Sequence, residues 1–216
     1  MKTDAQLKKD IEAELEWDPT INAAAIGVAV TDGVATLTGH IDTYAEKYAA
    51  ERALRRVEGV RLIALELDVR LAQSHRRSDT DIAIAAEQAL RWNTMVPTDV
   101  RATVDKGWIT LEGEVDWDFQ RRSAEYAVRS LTGVLGVNNS IAIRAKPIQA
   151  DEMKRRISSA LSRQVERELK NISIDIDGPK VTLRGKVHSW HERDAASGVA
   201  WSSPGVKYVV NELRIG

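Results

Sequence analysis

The sequence contains no cysteine and only one phenylalanine among its 216 residues. The absence of cysteine excludes disulfide bonds, thiolate metal sites and thiol nucleophiles. No apolar run approaches the length that a membrane-spanning helix requires. The N-terminal segment, residues 1–10, lacks the apolar core of a secretory signal peptide. The sequence therefore predicts a cytoplasmic protein without a transmembrane segment, although a chain whose leader had been removed would look the same.

The positive and negative charges nearly cancel, since the formal net charge is -1. This balance gives no general electrostatic attraction to nucleic acid. The charges are unevenly distributed, however: residues 1–74 have 9 basic against 13 acidic residues, and residues 147–216 have 12 against 9. Such polarity favours head-to-tail contact, either within one chain or between chains, in a salt-dependent way. A homo-oligomer is one assembly that the sequence leaves open.

A short segment occurs three times in the chain. It reads Gly-Val-Ala-Thr-Leu-Thr-Gly over 33–39, Gly-Trp-Ile-Thr-Leu-Glu-Gly over 107–113, and Gly-Pro-Lys-Val-Thr-Leu-Arg-Gly over 178–185. A Gly-Val pair follows each copy at the same distance, beginning at Gly59, Gly133 and Gly205. A fixed internal period indicates a tandem repeat. We predict three units, over residues 1–72, 78–145 and 148–216, joined by linkers too short to let them separate far.

Each unit has the same predicted order of elements. In the first unit, Leu7, Ile11 and Leu15 recur at helical spacing and predict a helix over 4–16. Alternating apolar residues then predict two strands around an Asp-Gly turn at 32–33. A second helix over 43–57, stopped by Gly59, leads into a third strand. The predicted fold class is α+β: three tandem αββαβ units, each a small three-stranded mixed sheet covered on one face by two helices.

The recurring pattern resembles a known family. Its order is Thr-Leu-x-Gly-x-Val, an alanine-rich helix, Gly-Val and Val-x-Asn, which is similar to the BON domain in an OsmY-like tandem arrangement. The pattern is present over 110–139 and 182–211, but in the first unit Leu65 stands where Asn139 and Asn211 lie. The resemblance implies an αββαβ fold, no catalytic activity and no cofactor. It also implies a bacterial stress-response protein linked to phospholipid surfaces or to binding of a protein partner.

Aromatic and basic residues are the candidate binding groups. Tryptophan side chains at exposed edges suit protein hot spots and membrane interfaces. Trp108 follows the hairpin turn of the second unit, whereas Trp117, Phe119 and Trp190 mark the junctions between strand two and helix two. Alternatively, these rings pack between units or in an oligomer. A separate basic helix face, formed by Lys154, Arg155 and Arg156, could contact anionic phospholipid.

The sequence offers no convincing catalytic or metal centre. His188 and His191 lie near Asp194, but a metal site needs three or four converging ligands. No set of nucleophile, base and orienting group can be assembled from these residues. We therefore expect a non-catalytic binding or scaffold protein that acts through protein-protein contact. The alternatives are peripheral binding to a phospholipid surface and sensing of a small ligand or ion in a cleft between units.

Overall fold

The computed structural model describes residues 2–144, 149–164 and 172–215. The second predicted linker therefore lies largely outside the described residues. The helices of the described part are α1 (Asp4–Trp17), α2 (Tyr44–Arg56), α3 (Asp79–Trp92), α4 (Asp118–Val128), α5 (Ala150–Gln164) and α6 (Trp190–Trp201). The strands are β1 (Ile26–Thr31), β2 (Val34–Ile41), β3 (Leu62–Val69), β4 (Arg101–Asp105), β5 (Trp108–Glu112), β6 (Glu114–Val115), β7 (Gly136–Asn139), β8 (Ala142–Ile143), β9 (Ser173–Asp177), β10 (Lys180–Val187) and β11 (Tyr208–Ile215).

Each unit contains a mixed sheet whose central strand is the second strand of the unit. In the first unit, β2 pairs antiparallel with β1 and parallel with β3. The third unit repeats this arrangement with β10 between β9 and β11. The second unit has β5 between β4 and β7, and its sheet continues beyond Gly113 as the parallel pair β6 and β8. The parallel pairs are possible because a helix makes the crossover between them. The predicted α+β class is confirmed.

The apolar residues that recur at helix or strand spacing are buried on the faces that the sequence predicts. Leu7, Ile11 and Leu15 of α1 are almost completely buried, as are Leu37 and Ile41 of β2. The threonine and histidine residues that alternate with them in the second half of β2 are exposed. Each unit has its own core cluster, and partly buried residues from another unit pack against the first two clusters.

An aspartate in the first turn of helix one fixes the hairpin turn of the same unit. The Asp4 carboxylate accepts hydrogen bonds from the backbone amides of Asp32, at 2.8 Å, and Gly33, at 3.0 Å. Asp79 accepts in the same way from Lys106, at 2.8 Å, and from the following glycine, at 2.9 Å. The hairpin amides, which a tight turn leaves without strand partners, are satisfied by this contact.

The second glycine of the repeated segment is required by close packing of the backbone. Gly39 has φ +126, and a Cβ added there would lie 2.2 Å from the carbonyl oxygen of Ala25. Gly113 has φ +128, and its added Cβ would lie 2.5 Å from the carbonyl oxygen of Asp99. Residues with a side chain rarely adopt this backbone conformation. The recurrence of this glycine is therefore explained by the fold.

The recurring asparagine connects the last strand to helix two. The Asn139 side-chain amide donates to the carbonyl oxygen of Arg121 at 3.0 Å, and its Oδ1 accepts from the backbone amide of Ile141 at 3.3 Å. Asn211 makes the same pair of contacts, with Arg193 and with residue 213. These hydrogen bonds give the asparagine a structural role.

The first unit makes the corresponding connection in another way. Leu65 occupies the asparagine position, and the Lys47 side chain of α2 donates to the carbonyl oxygen of Leu67 at 2.9 Å. Position 47 is equivalent to Arg121 and Arg193, because the second glycines of the repeat are 74 and 72 residues apart. The first unit therefore connects helix two to its last strand through the helix side chain, as Arg193 also does in the third unit by donating to the carbonyl oxygen of Asn211 at 3.1 Å.

Substitution of Asn139 by alanine is expected to lower the free energy of unfolding by about 1–3 kcal/mol, because the partners of its side chain lose their hydrogen bonds. The matched control is Asn138→Ala at the adjacent, exposed position, for which a change within about 0.5 kcal/mol is expected. Urea unfolding of both variants measures the difference. Equal losses in the two variants would contradict a structural role for Asn139.

Candidate functional site

The second helices of the three units, α2, α4 and α6, meet at one junction. Tyr44, at the start of α2, packs against the core of the second unit and lies beside the backbone of Val137. Trp190, at the equivalent position in the third unit, packs against the core of the first unit. Its indole Nε1 donates a hydrogen bond to the carbonyl oxygen of Val60 at 2.8 Å. In both contacts, the first residue of the second helix in one unit packs against the core of a neighbouring unit.

An arginine and an aromatic ring pair up at each of the three interfaces. The Arg129 guanidinium lies 3.7 Å from the ring centroid of Tyr48, joining the second and first units. The Arg55 guanidinium lies 4.9 Å from the Trp190 ring, joining the first and third units. The third and second units are joined by Arg121, whose guanidinium lies 4.7 Å from the ring of residue 201. Contacts of this kind contribute about 0.5–2 kcal/mol each, according to their desolvation.

The interfaces follow one another head to tail and close into a ring. Each unit contacts both others, because Trp201 of the third unit also packs against the core of the second. Head-to-tail contacts form a closed ring when the repeated rotation closes, as it does here after three units. The third unit, which is basic, therefore contacts the first, which is acidic, within one chain. We call the meeting point of α2, α4 and α6 the helix junction.

A cavity of about 350 Å³ lies at the helix junction. Its charged lining holds three carboxylates and four arginines, of which Arg52 pairs with Asp18 outside the lining at 3.9 Å. Asp118, which is only 2% exposed, forms ion pairs with Arg121 and with Arg122, the latter at 2.9 Å. Arg55 forms ion pairs with Glu51 at 2.7 Å and with residue 194 at 3.2 Å. The carboxylates and guanidiniums neutralise one another, which favours holding the helices together over binding a charged ligand.

Two groups at the helix junction, Arg55 and Tyr44, have raised pKa values. Burial opposes the charge of Arg55, but hydrogen bonding and attraction by Glu51 and Asp194 outweigh it and raise the pKa of the guanidinium. Burial, with a contribution from Glu125, raises the pKa of the Tyr44 phenol. Arginine therefore stays charged and tyrosine neutral, so we expect these contacts to respond to salt rather than to pH.

The predicted aromatic candidates lie in different environments. Trp190 is part of the helix junction, as described above. Trp117 is half-buried directly before α4, and Phe119 is exposed in the first turn of the same helix. Trp108 is half-exposed on β5, and its ring lies across Gly136 of the neighbouring strand. The four side chains therefore differ in exposure and in the element that carries them. Their role in binding stays a prediction.

The predicted basic candidates lie together on one helix. Lys154, Arg155 and Arg156 are all exposed on α5. Arg156 forms an ion pair with Glu152, one turn earlier, at 2.5 Å. The other two have no ion pair among the described residues. A role for this basic face in lipid binding stays a prediction.

Two exposed tryptophans were missed by sequence reasoning. Trp17 is 83% exposed and Trp92 is 88% exposed. They are the last residues of α1 and α3, two helices of 14 residues at equivalent positions in the first and second units. The signal that identifies them is their register: each follows the last buried leucine by two positions, which places it on the opposite side of the helix. Their recurrence at one position could have been noticed.

The histidine-rich segment does not assemble as a metal centre. Among residues 2–144, 149–164 and 172–215, no group of three or more histidine or carboxylate side chains is placed to hold a metal ion. Glu192 instead accepts a hydrogen bond from the backbone amide of His188 at 2.9 Å, which caps the start of α6.

A membrane-spanning candidate is also missing from the described helices, since none combines the length and apolar character required.

The fold and the repeated sequence pattern are those of one family. The model of the BON domain matches residues 3–70, 78–145 and 149–216, and the chain belongs to the BON domain family. Among known proteins, it is 27% identical to Osmotically-inducible protein Y of Escherichia coli (strain K12) over 143 residues, 64% of this chain and 71% of that protein. The predicted resemblance is confirmed.

A weaker likeness exists to a solved structure. CdsD, a structural protein of the Type III secretion system of Chlamydia trachomatis, aligns over 98% of this chain and 92% of its own. The identity is 13% and the TM-score is 0.28. We draw no functional argument from a likeness at this level.

Proposed function

We propose that the protein is a non-catalytic scaffold that holds three BON domains in a ring and binds a protein partner through Trp17 and Trp92. The observation that carries this proposal is the exposure of both rings, each above four fifths, at equivalent helix ends. Tryptophan is enriched among the residues that dominate binding energy in protein interfaces. Because the units are related by a cyclic repetition, the ends of α1 and α3 place the two tryptophans at equivalent positions of the first and second units.

The charges beside Trp17 favour a protein partner over an anionic membrane. Glu16 and Asp18 flank Trp17 in the sequence, and Glu14 lies one turn before it in α1. Hydrogen bonds from the Thr20 side chain and backbone hold the pKa of the Asp18 carboxyl below its ordinary value, so this group remains ionised. Arg56 already pairs with Glu14 at 2.5 Å and with Asp18 at 3.6 Å. Glu16 is therefore the flanking carboxylate that has no ion pair within the described part of the chain. A partner surface with a basic group beside an apolar pocket would be complementary to Trp17 and Glu16.

The biological setting is proposed from the family relationship. Similarity to an osmotically inducible protein supports a role for this chain during osmotic stress. The cytoplasmic location predicted from the sequence and the possibility of a homo-oligomer are part of the same proposal. A ring of three domains offers a partner two copies of one binding feature, and such bivalent contact strengthens binding without any new type of interaction.

The double variant Trp17→Ala, Trp92→Ala is expected to lose partner binding while remaining folded. Hot-spot residues contribute about 2 kcal/mol or more, so the amount of the dominant partner captured from osmotically stressed cells should fall at least tenfold. The matched control is Trp108→Ala, which removes a half-exposed tryptophan from a strand. Thermal unfolding of both variants checks the fold. Equal capture by the double variant and the wild type would remove these residues from the proposal.

Peripheral lipid binding is the alternative. The side chains of Lys154 and Arg155 on α5 favour it, because they are exposed and form no ion pair with the residues that the structure describes. Vesicle flotation separates the two functions in the same experiment. Enrichment of the wild type on phosphatidylglycerol vesicles, lost in Lys154→Gln, Arg155→Gln but retained in the tryptophan double variant, would support the lipid surface instead. A failure to float at low and at moderate salt would exclude it.

A further inference from the structure

A larger cavity lies between the end of the first unit and the start of the second. Its volume is about 560 Å³. One wall is the chain that leaves β3, residues 69–71, and the other walls are the hairpin turn at 106–107 and the turn at 133–135 that follows α4. We call it the linker cavity, because Arg76 and Arg77 of the linker between the units also line it. It is separate from the tryptophans on which the proposed function rests.

The lining of the linker cavity is strongly positive. Arg70, Arg76, Arg77 and Lys106 contribute four cations, against one carboxylate, that of Asp79. Both oxygens of this carboxylate already accept hydrogen bonds from backbone amides of the hairpin turn. One side of Arg77 is also engaged, since its Nη1 donates to backbone carbonyl oxygens within the linker. The remaining cations therefore lack a matching carboxylate within the cavity.

Arg70 has fewer ion-pair partners than the arginine at the equivalent position of the second unit. Arg144, which lies 74 residues after Arg70 in the sequence, forms ion pairs with Asp99, Glu114 and Asp116 at 3.3–3.9 Å. Arg70 has only Asp68, at 3.6 Å, and both side chains of that pair are at least two-thirds exposed. An exposed pair of this kind contributes little.

Two of the four cations, one from the linker and one from the hairpin turn, are uncompensated. Arg76 and Lys106 form no ion pair within the described part of the chain. Like charges that line one concavity raise the local concentration of anions.

We propose that the linker cavity binds a phosphate group, carried by a small phosphate ester or by a lipid headgroup. Guanidinium groups donate paired hydrogen bonds to phosphate oxygens. The side chains of Val69, Leu71 and Leu135 line the same cavity and supply apolar contact for the carbon part of an ester. Its volume is within the range of small-molecule sites, about 300–1,000 Å³. The smaller cavity at the helix junction differs because each of its arginines is already paired with a carboxylate.

Pyrophosphate is the probe that tests this site, with calorimetry at low ionic strength as the readout. The wild type is expected to bind it saturably at one site. The double variant Arg76→Gln, Lys106→Asn should bind about tenfold more weakly or worse, because charge-assisted hydrogen bonds are lost. Asparagine is chosen at 106 because this position has φ 49, which asparagine tolerates better than most residues.

The control variant Arg101→Gln, Lys180→Gln removes the same charge from exposed strand positions and should bind like the wild type. Melting temperatures of the unliganded proteins show whether each variant is folded. Two further arms identify the source of the phosphate: glycerol 3-phosphate in solution, and phosphatidylglycerol vesicles. Binding in either arm that the cavity variant abolishes supports the site. Failure of pyrophosphate to bind, or equal binding by the cavity variant and the control, would overturn it.

Discussion

Trp190→Ala is expected to open the ring between the third and first units. The indole packs against the core of the first unit, donates a hydrogen bond to the carbonyl oxygen of Val60 and supports the guanidinium of Arg55. Truncation of a fully buried tryptophan costs about 3–5 kcal/mol, and a smaller loss is expected here because Trp190 is half-buried. Domain interfaces within a chain are otherwise small enough to allow relative motion. We therefore expect a larger radius of gyration by X-ray scattering and an unfolding transition that separates into more than one step.

The control for this prediction is Trp92→Ala, which removes an almost fully exposed tryptophan from another helix end. It should change neither the radius of gyration nor the cooperativity of unfolding. Added salt should act in the direction of Trp190→Ala, because the neighbouring pair of Arg55 and Asp194 is partly exposed and open to screening. If Trp190→Ala unfolds in a single step with unchanged dimensions, the ring is held by other contacts.

The sequence was sufficient for the fold of each unit because its determinants are local. Leu7, Ile11 and Leu15 mark the buried face of α1 by their spacing alone, and a similar pattern occurs in α3. The glycine of the Thr-Leu-x-Gly segment marks the same backbone conformation each time it occurs. Such signals repeat within a few residues, so one chain without relatives is enough to identify them.

The ring could not be predicted, because its contacts join distant residues by chemistry that has no period. Trp190 and Val60 are 130 positions apart in the chain. Trp17 and Trp190 are the same residue type near helix ends, yet one is solvent-exposed and the other lies between units. The difference arises from which surface of another unit is nearby, and this depends on how the units are arranged. The same reason explains why the matched charges around Asp118 were not anticipated.

Gly39→Ala is expected to destabilise the first unit strongly, by about 3 kcal/mol or more. The backbone at Gly39 has φ +126, which costs energy for any residue with a Cβ. In addition, the new methyl group would lie 2.2 Å from the carbonyl oxygen of Ala25, which is backbone and not a flexible side chain. The entry to β1 must therefore move, and its pairing with β2 would be disturbed because Gly39 is the partner of Ile26.

The matched control is Gly198→Ala in α6, where an added Cβ meets no atom within 4 Å. Alanine is a better helix former than glycine by about 1 kcal/mol, so this variant should be unchanged or more stable. Urea unfolding, followed by circular dichroism, compares the two. Comparable stability of Gly39→Ala and Gly198→Ala would show that the repeated glycine is not required by the backbone. The recurrence of this glycine would then have to be explained by a role in binding, because it lies near the end of the strand that leads to helix two.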